Sequence, residues 1–387
     1  MAVHSSVGLK LKLTAALAVG ICCAMIGLVR ADSCAKSKSQ VLPGTQVLPH
    51  ATADNLNLKE LWQIPIGLSK VDGDQVLGMW RVGPNLYVST LHGYLVSINA
   101  KAGTINWDAK PAREGRTISA PAVAGKDEIV ILAQGYALMM NTKTGEITKR
   151  GLLGAAPGTD PVIYNGRLLV GGVDGGFYGL SAKFPGIVRW AQLSTKDSFT
   201  SDPVLGIDGS VTFASHLGYI WNKDATSGGG NWKRTVLGGV VAPLTSAGKL
   251  AFVPSLDNNV YAFEITSGQC PWVEHLPGRL DQPAIPNGKQ LLVVSSGIGL
   301  FSLNSQTGVE KWGPVKGIAR ILAIHKGQAY GITATGAIKL ISLATGHIDA
   351  SGTIPMLHAF ADNWAGSTVY VATTDGRVAA LVPDETP

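Results

Sequence analysis

The stretch Ser302-Leu303-Asn304-Ser305-Gln306-Thr307-Gly308-Val309-Glu310-Lys311-Trp312 decides the fold, because its outline returns at a fixed interval along the chain. Asn222-Lys223-Asp224-Ala225-Thr226-Ser227-Gly228 leads in the same way to Trp232, and Ala262-Phe263-Glu264-Ile265-Thr266-Ser267-Gly268 leads to Trp272. Ser97 to Trp107, through Asn99, Ala102 and Gly103, is a weaker copy. Glycine followed four residues later by tryptophan also occurs at Gly186/Trp190. Gly145/Lys149 and Gly346/Ala350 keep the glycine and lose the indole. From Trp107 onward the tryptophan-equivalent positions are separated by 42, 41, 42, 40, 40 and 38 residues. Such self-similarity marks a repeat protein, in which one unit cannot bury its apolar face alone.

A second mark has the same period. Proline precedes a short apolar run at Pro121, Pro161, Pro203, Pro243 and Pro283, spaced by 40, 42, 40 and 40 residues. Each unit reads as four short strands. Proline opens the first, where its missing N–H does least harm to a ladder. An apolar run such as Leu168-Leu169-Val170-Gly171 follows. A turn of the Asp174-Gly175, Asp257-Asn258 or Asp375-Gly376 kind then supplies the residue types that hairpins require. The third strand alternates, as in Tyr94-Leu95-Val96-Ser97-Ile98, and the fourth, after the Thr-Gly turn, ends on tryptophan. Four antiparallel strands repeated in this way predict an all-β propeller.

Eight pairs of second and third strands occur, so eight blades are expected, and the last has no room for its own fourth strand before Pro387. Leu61-Trp62-Gln63-Ile64-Pro65-Ile66, near the start, is an orphan strand bearing a tryptophan. It is predicted to complete the last blade, closing the ring and removing open sheet edges. The organisation that follows is a leader over 1–31, a flexible polar linker over 32–55, the propeller over 56–383 and a tail over 384–387.

The leader is read from Lys10 and Lys12 ahead of an uncharged apolar run, Leu13 to Val29, that ends at Val29-Arg30-Ala31. This is the form of a secretory signal, with an uncleaved membrane anchor as the alternative. Removing it takes away three basic residues and no acid, leaving 29 basic against 26 acidic and lowering the net charge from +6 to +3. There is no Lys/Arg cluster, so nucleic-acid binding is not expected. Cys34 and Cys270 are the cysteines left, and export permits, without requiring, a bridge between them.

The pattern A-x-D-x-x-T-G-x-x-x-W, as carried by residues 222–232, 262–272 and 302–312, resembles the tryptophan-docking motif of pyrroloquinoline-quinone (PQQ) repeat propellers over residues 58–383. The size and minimal blades are most similar to BamB-type scaffolds. The resemblance implies that Trp62, Trp107, Trp190, Trp232, Trp272 and Trp312 pack between blades. The motif glycines Gly103, Gly145, Gly228, Gly268, Gly308 and Gly346 are read with them as structural blade-docking positions. It also admits catalytic quinoproteins that hold PQQ and calcium.

The chemistry of such an enzyme is thinly represented. The only adjacent cysteines, Cys22-Cys23, lie in the leader. Asp224 and Glu264 fall in the docking motif, where capping the turn is the expected role. His92, His216, His325, His347 and His358 show no ligand spacing, and no G-x-S-x-G elbow precedes a helix. No catalytic, cofactor or metal residue is therefore assigned. The expected function is an exported, monomeric scaffold in the periplasm or outside the cell that binds a protein or peptide. A PQQ-dependent oxidoreductase and a carbohydrate-binding surface propeller are the alternatives. Candidate exposed aromatics are Trp80, Tyr94 and Tyr136, with Trp221 and Trp364 singled out for partner binding.

Overall fold

Eight four-stranded antiparallel sheets follow one another around a ring in the computed structural model, which describes residues 46–68, 73–194 and 196–385. In chain order, blades 1 to 7 span 76–109, 122–152, 162–193, 204–235, 245–275, 285–316 and 318–353. Blade 8 takes three strands from 357–383, and its outer strand is Leu58–Pro65 from the other end of the chain. That strand pairs antiparallel with Arg377–Pro383, from Leu58 opposite Pro383 to Pro65 opposite Arg377. The orphan strand thus closes the ring, as the sequence predicts. The docking tryptophans do not end the fourth strands: Trp107 is central in Ile105–Ala109, and Trp272 opens Trp272–His275.

The core is divided into wedges between blades. One joins Tyr87, Leu95 and Trp107 of blade 1 to Ile129, Ile131 and Met140 of blade 2. Another joins Phe252, Val260 and Trp272 of blade 5 to Leu291, Val293 and Phe301 of blade 6. Because both faces of every blade are covered, the middle strands are apolar throughout: Asn85–Thr90 and Leu250–Pro254 are buried at every position. Hydrophobic burial between neighbours thus holds the ring, each blade contributing to two wedges.

The docking motif works as a ring-to-turn joint. The Trp107 indole N–H donates to Thr142 O in the next blade at 2.8 Å, and a methyl carbon placed on Gly145 would lie 2.6 Å from its ring. The pattern repeats for Trp62 with Ala100 O and Gly103, Trp190 with Ala225 O and Gly228, and Trp232 with Ile265 O and Gly268. Trp312 does the same with Leu343 O and Gly346. Trp272 packs on Gly308, but its buried indole N–H has no partner among the described residues. Glycine is required at these turns twice over, by a positive φ (+73° at Gly145) and by the indole in the place of a side chain. Asp224 caps its turn as expected, accepting from Thr226 N, Ser227 N and Ser227 Oγ.

Two joints lack the indole and are closed differently. At Lys149, between blades 2 and 3, backbone meets backbone: a methyl carbon on Gly151 would lie 1.7 Å from Pro185 O. At Ala350, between blades 7 and 8, there is no following Thr-Gly turn to receive a tryptophan, because the third and fourth strands of blade 8, Arg377–Pro383 and Leu58–Pro65, are not joined by a turn. Residues 46–57 fill that place. The helix His50–Leu56, stopped by Asn57 in the left-handed region (φ 49°), packs on the strand Ile348–Thr353. Thr52 Oγ1 donates to Thr353 O at 3.0 Å, and Thr52 and Leu56 lie directly over Gly352. Val47, Leu48 and Leu56 join the wedge between blades 7 and 8.

This corrects the expectation of a flexible linker over 32–55, whose last ten residues are packed against the ring because they bury the joint that the sequence leaves open. The leader over 1–31, Cys34 and residues 32–45 lie outside the described residues. Cys270 is exposed, and its thiol donates to Trp272 O at 3.2 Å. Among the described residues no helix is long and apolar enough to cross a membrane.

Candidate functional site

Antiparallel order sorts the loops onto two faces. The turns after each blade's first and third strands share one face, the turn face, which carries the Thr-Gly turns. Connections between blades and the turns joining second to third strands share the other, the connection face. On this second face neighbouring loops are tied in series by hydrogen bonds. Leu153 N donates to Gly135 O (2.9 Å), Val173 N to Ala156 O (3.1 Å) and Ser194 N to Gly175 O (2.7 Å). Leu217 N then donates to Asp197 Oδ1 (3.1 Å), and Val236 N to Gly218 O (2.9 Å). Asp174 and Asp257 stiffen their turns further, each accepting a tyrosine hydroxyl at 2.6 Å, from Tyr178 and Tyr261.

These tied loops carry aliphatic side chains in the open. Leu237 is 93% exposed, Leu193 69%, Leu152 62%, Leu217 53% and Val173 50%. Leu152 and Leu193 end the outer strands of blades 2 and 3, Val173 and Leu217 lie in turns of blades 3 and 4, and Leu237 follows the outer strand of blade 4, so together they trace an arc of apolar side chains on the connection face. Scattered exposed aliphatics need no explanation, but a run of them on adjoining, hydrogen-bonded loops makes this face the candidate interaction surface.

Beside the arc a cleft of about 870 Å³ opens between the connections that enter blades 2 and 3. Arg113, Arg116 and Gln134 stand at its edge, Leu152 and Pro157 form a wall, and Asp160 and Asp202 line its interior. Each aspartate precedes the proline that opens an inner strand, and each reaches back one blade. Asp160 Oδ1 accepts from Ala120 N at 2.9 Å, and Asp202 Oδ1 accepts from Asp160 N at 2.7 Å. Burial, and then the neighbouring Asp160 charge, push Asp202 up to about 6. Asp160 is raised as well, chiefly by burial. Neither carboxylate has an ion-pair partner among the described residues.

The aromatics singled out from the sequence behave otherwise. Trp221 is only 5% exposed. It stacks on Phe213 (centroids 5.6 Å apart, planes 14° apart) within the wedge between blades 3 and 4, under the Lys233 ammonium at 5.1 Å. It therefore offers no open aromatic surface. Its strand, Tyr219–Asp224, is buried on both faces because blades pack front to back. Trp364 is half-buried and donates to Ile321 O at 2.8 Å, anchoring a blade 8 loop on the inner strand of blade 7. The structure does not bring Trp221 and Trp364 together. Trp80 packs half-buried between blades 1 and 2, Tyr94 lies half-buried under Lys110, and Tyr136 is exposed on the connection face. Of the histidines, His92 lies 3.8 Å from Asp74 and 3.7 Å from Glu114, whereas His358 contacts Val76 O and His325 contacts Glu385. Among the described residues no three His, Cys, Asp or Glu side chains converge on a metal position. Asp160 and Asp202 are not among the candidates that the residue pattern offers. The available signal was Asp-Pro at two of the five proline marks, one period apart.

With this geometry in place, the profile of the family described as outer membrane protein assembly factor BamB matches residues 91–211, 185–315 and 224–385. The chain belongs to the BamB family. Among solved structures, BamB from Moraxella catarrhalis superposes with a TM-score of 0.70 at 16% identity, over 85% of this chain and 99% of that one. The computationally designed Ika8 protein gives 0.65 at 14% identity, over 80% and 96%. The quinohemoprotein alcohol dehydrogenase from Comamonas testosteroni gives 0.60 at 11%, over 87% and 78%. At such identities the likeness establishes the fold alone, which BamB, a computational design and an alcohol dehydrogenase share. A comparison with curated proteins finds no match in sequence.

Proposed function

We propose that this chain is an exported, non-catalytic scaffold of the cell envelope that docks a protein partner through its connection face. The observation that carries this reading is the arc of exposed aliphatics, Leu152, Val173, Leu193, Leu217 and Leu237, on hydrogen-bonded loops. Membership of the BamB family supports a protein-binding scaffold in general. The leader read over 1–31 supports export. A single ring suffices for the surface, so the scaffold acts as a monomer.

The test is site-specific photo-cross-linking in intact envelopes. A photoreactive residue at Leu217 or Leu237 is expected to trap one discrete product that the same residue at Ile105 or Val309, elsewhere on the ring, does not. Equal trapping at all four positions, or none at any, would overturn the reading.

Likeness to a quinohemoprotein keeps the PQQ-dependent oxidoreductase as the rival. Calcium beside PQQ needs several converging oxygen ligands, and the described acids and histidines do not gather in threes. Purified protein titrated with PQQ and calcium is expected to show no thermal shift and no bound chromophore. Saturable binding of both would favour the rival.

A further inference from the structure

We propose that the cleft between blades 2 and 3 takes an extended segment of mixed charge from the partner, its basic side chain seated on Asp160 and Asp202 and an acidic one held by Arg113 and Arg116. This rests on the scaffold reading and gives the partner a chemistry.

Two carboxylates stand side by side in the cleft, and Asp202 is pushed upward partly by the charge of Asp160. Each spends one oxygen on a backbone N–H, which leaves two like charges in the cavity with no ion-pair partner among the described residues. An ammonium or guanidinium relieves that repulsion and gains charge-assisted hydrogen bonds. The volume of about 870 Å³ is far beyond the needs of a lone ion and suits a few residues of chain. Two carboxylates also fall short of the ligand number that calcium takes. The arginines lie at the exposed edge, so opposite charges on the segment are sorted by depth. Leu152 belongs to both the cleft wall and the aliphatic arc, so a partner lying on the arc can reach the cleft without crossing open solvent.

The probe is a capped peptide, Ala-Arg-Ala-Ala-Glu-Ala, titrated into the whole chain at mildly alkaline pH, beside two versions with Gln in place of Arg or of Glu. On the wild type each Gln peptide is expected to bind roughly tenfold more weakly, the scale of one charged hydrogen bond. The double change Asp160→Asn, Asp202→Asn keeps the oxygens that accept Ala120 N–H and Asp160 N–H and is expected to erase the Arg preference alone. The double change Arg113→Ala, Arg116→Ala is expected to erase the Glu preference alone. Three peptides indistinguishable on the wild type, or an Arg preference that survives in Asp160→Asn, Asp202→Asn, would overturn the proposal. So would calcium chloride alone raising the unfolding temperature while the peptides bind alike, which would make the cleft a metal site. Cross-linking from Leu217 separates the two readings. If it persists while the peptide series fails, the cleft inference falls and the scaffold stands.

Discussion

Trp312 donates its indole N–H to Leu343 O at 3.0 Å and lies with its ring where a side chain on Gly346 would be. The φ of Gly346 is +75°, so alanine there meets both backbone strain and an indole 2.7 Å away. Gly346→Ala is expected to cost about 2–4 kcal/mol, combining left-handed strain with overpacking. Gly288→Ala shares the positive φ but meets open space, and is expected to cost only about 1 kcal/mol. Urea midpoints of the two variants check this; equal losses would mean that the ring-to-turn contact does not matter.

Gly151 tests the joint that has no tryptophan. A methyl carbon there would lie 1.7 Å from Pro185 O, and backbone cannot swing aside as a side chain can. Gly151→Ala is expected to destabilise by more than about 3 kcal/mol, read from the same denaturation curves.

The packed N-terminal segment makes the next prediction. Leu56 is fully buried between blades 7 and 8, so Leu56→Ala is expected to cost about 2–5 kcal/mol by opening a cavity. Leu237→Ala, at an exposed position, is expected to stay within about 0.5 kcal/mol of the wild type. Similar midpoints for the two variants would mean that the segment is not a working part of the ring.

Asp202 gives a pH signature. Its folded pKa, about 6, lies above the ordinary value near 4. As pH rises between these values the unfolded chain gives up this proton first, so the folded state loses stability through that window and levels off above it. The difference in unfolding free energy, Asp202→Asn minus wild type, is expected to grow from about pH 4 to about pH 6 and then stay flat. Titrating the melting temperature of both proteins measures it; a difference independent of pH would contradict the assignment.

The ring and its joints were legible because they depend on residue types with few substitutes. A positive-φ turn under an indole demands glycine, and the period of Gly and Trp therefore records the blades. The part played by Trp221 was not legible. Blades covered on both faces lose the in–out alternation that would have shown it to be buried. The helix at 50–56 has little apolar pattern of its own, and its place is dictated by the missing indole at Ala350. Asp160 and Asp202 stand 42 positions apart in sequence, and only the step from blade to blade brings them together.

A partner docked on the aliphatic arc of the connection face, as proposed, would contact Leu217 and Leu237. The double change Leu217→Asp, Leu237→Asp alters exposed positions and should leave the unfolding midpoint at the wild-type value. Envelope complexes captured by the photoreactive residue at Leu193 are the direct readout. The cross-linked product is expected to disappear in the doubly changed protein while the fold is intact. Recovery of that product at the wild-type level would contradict it.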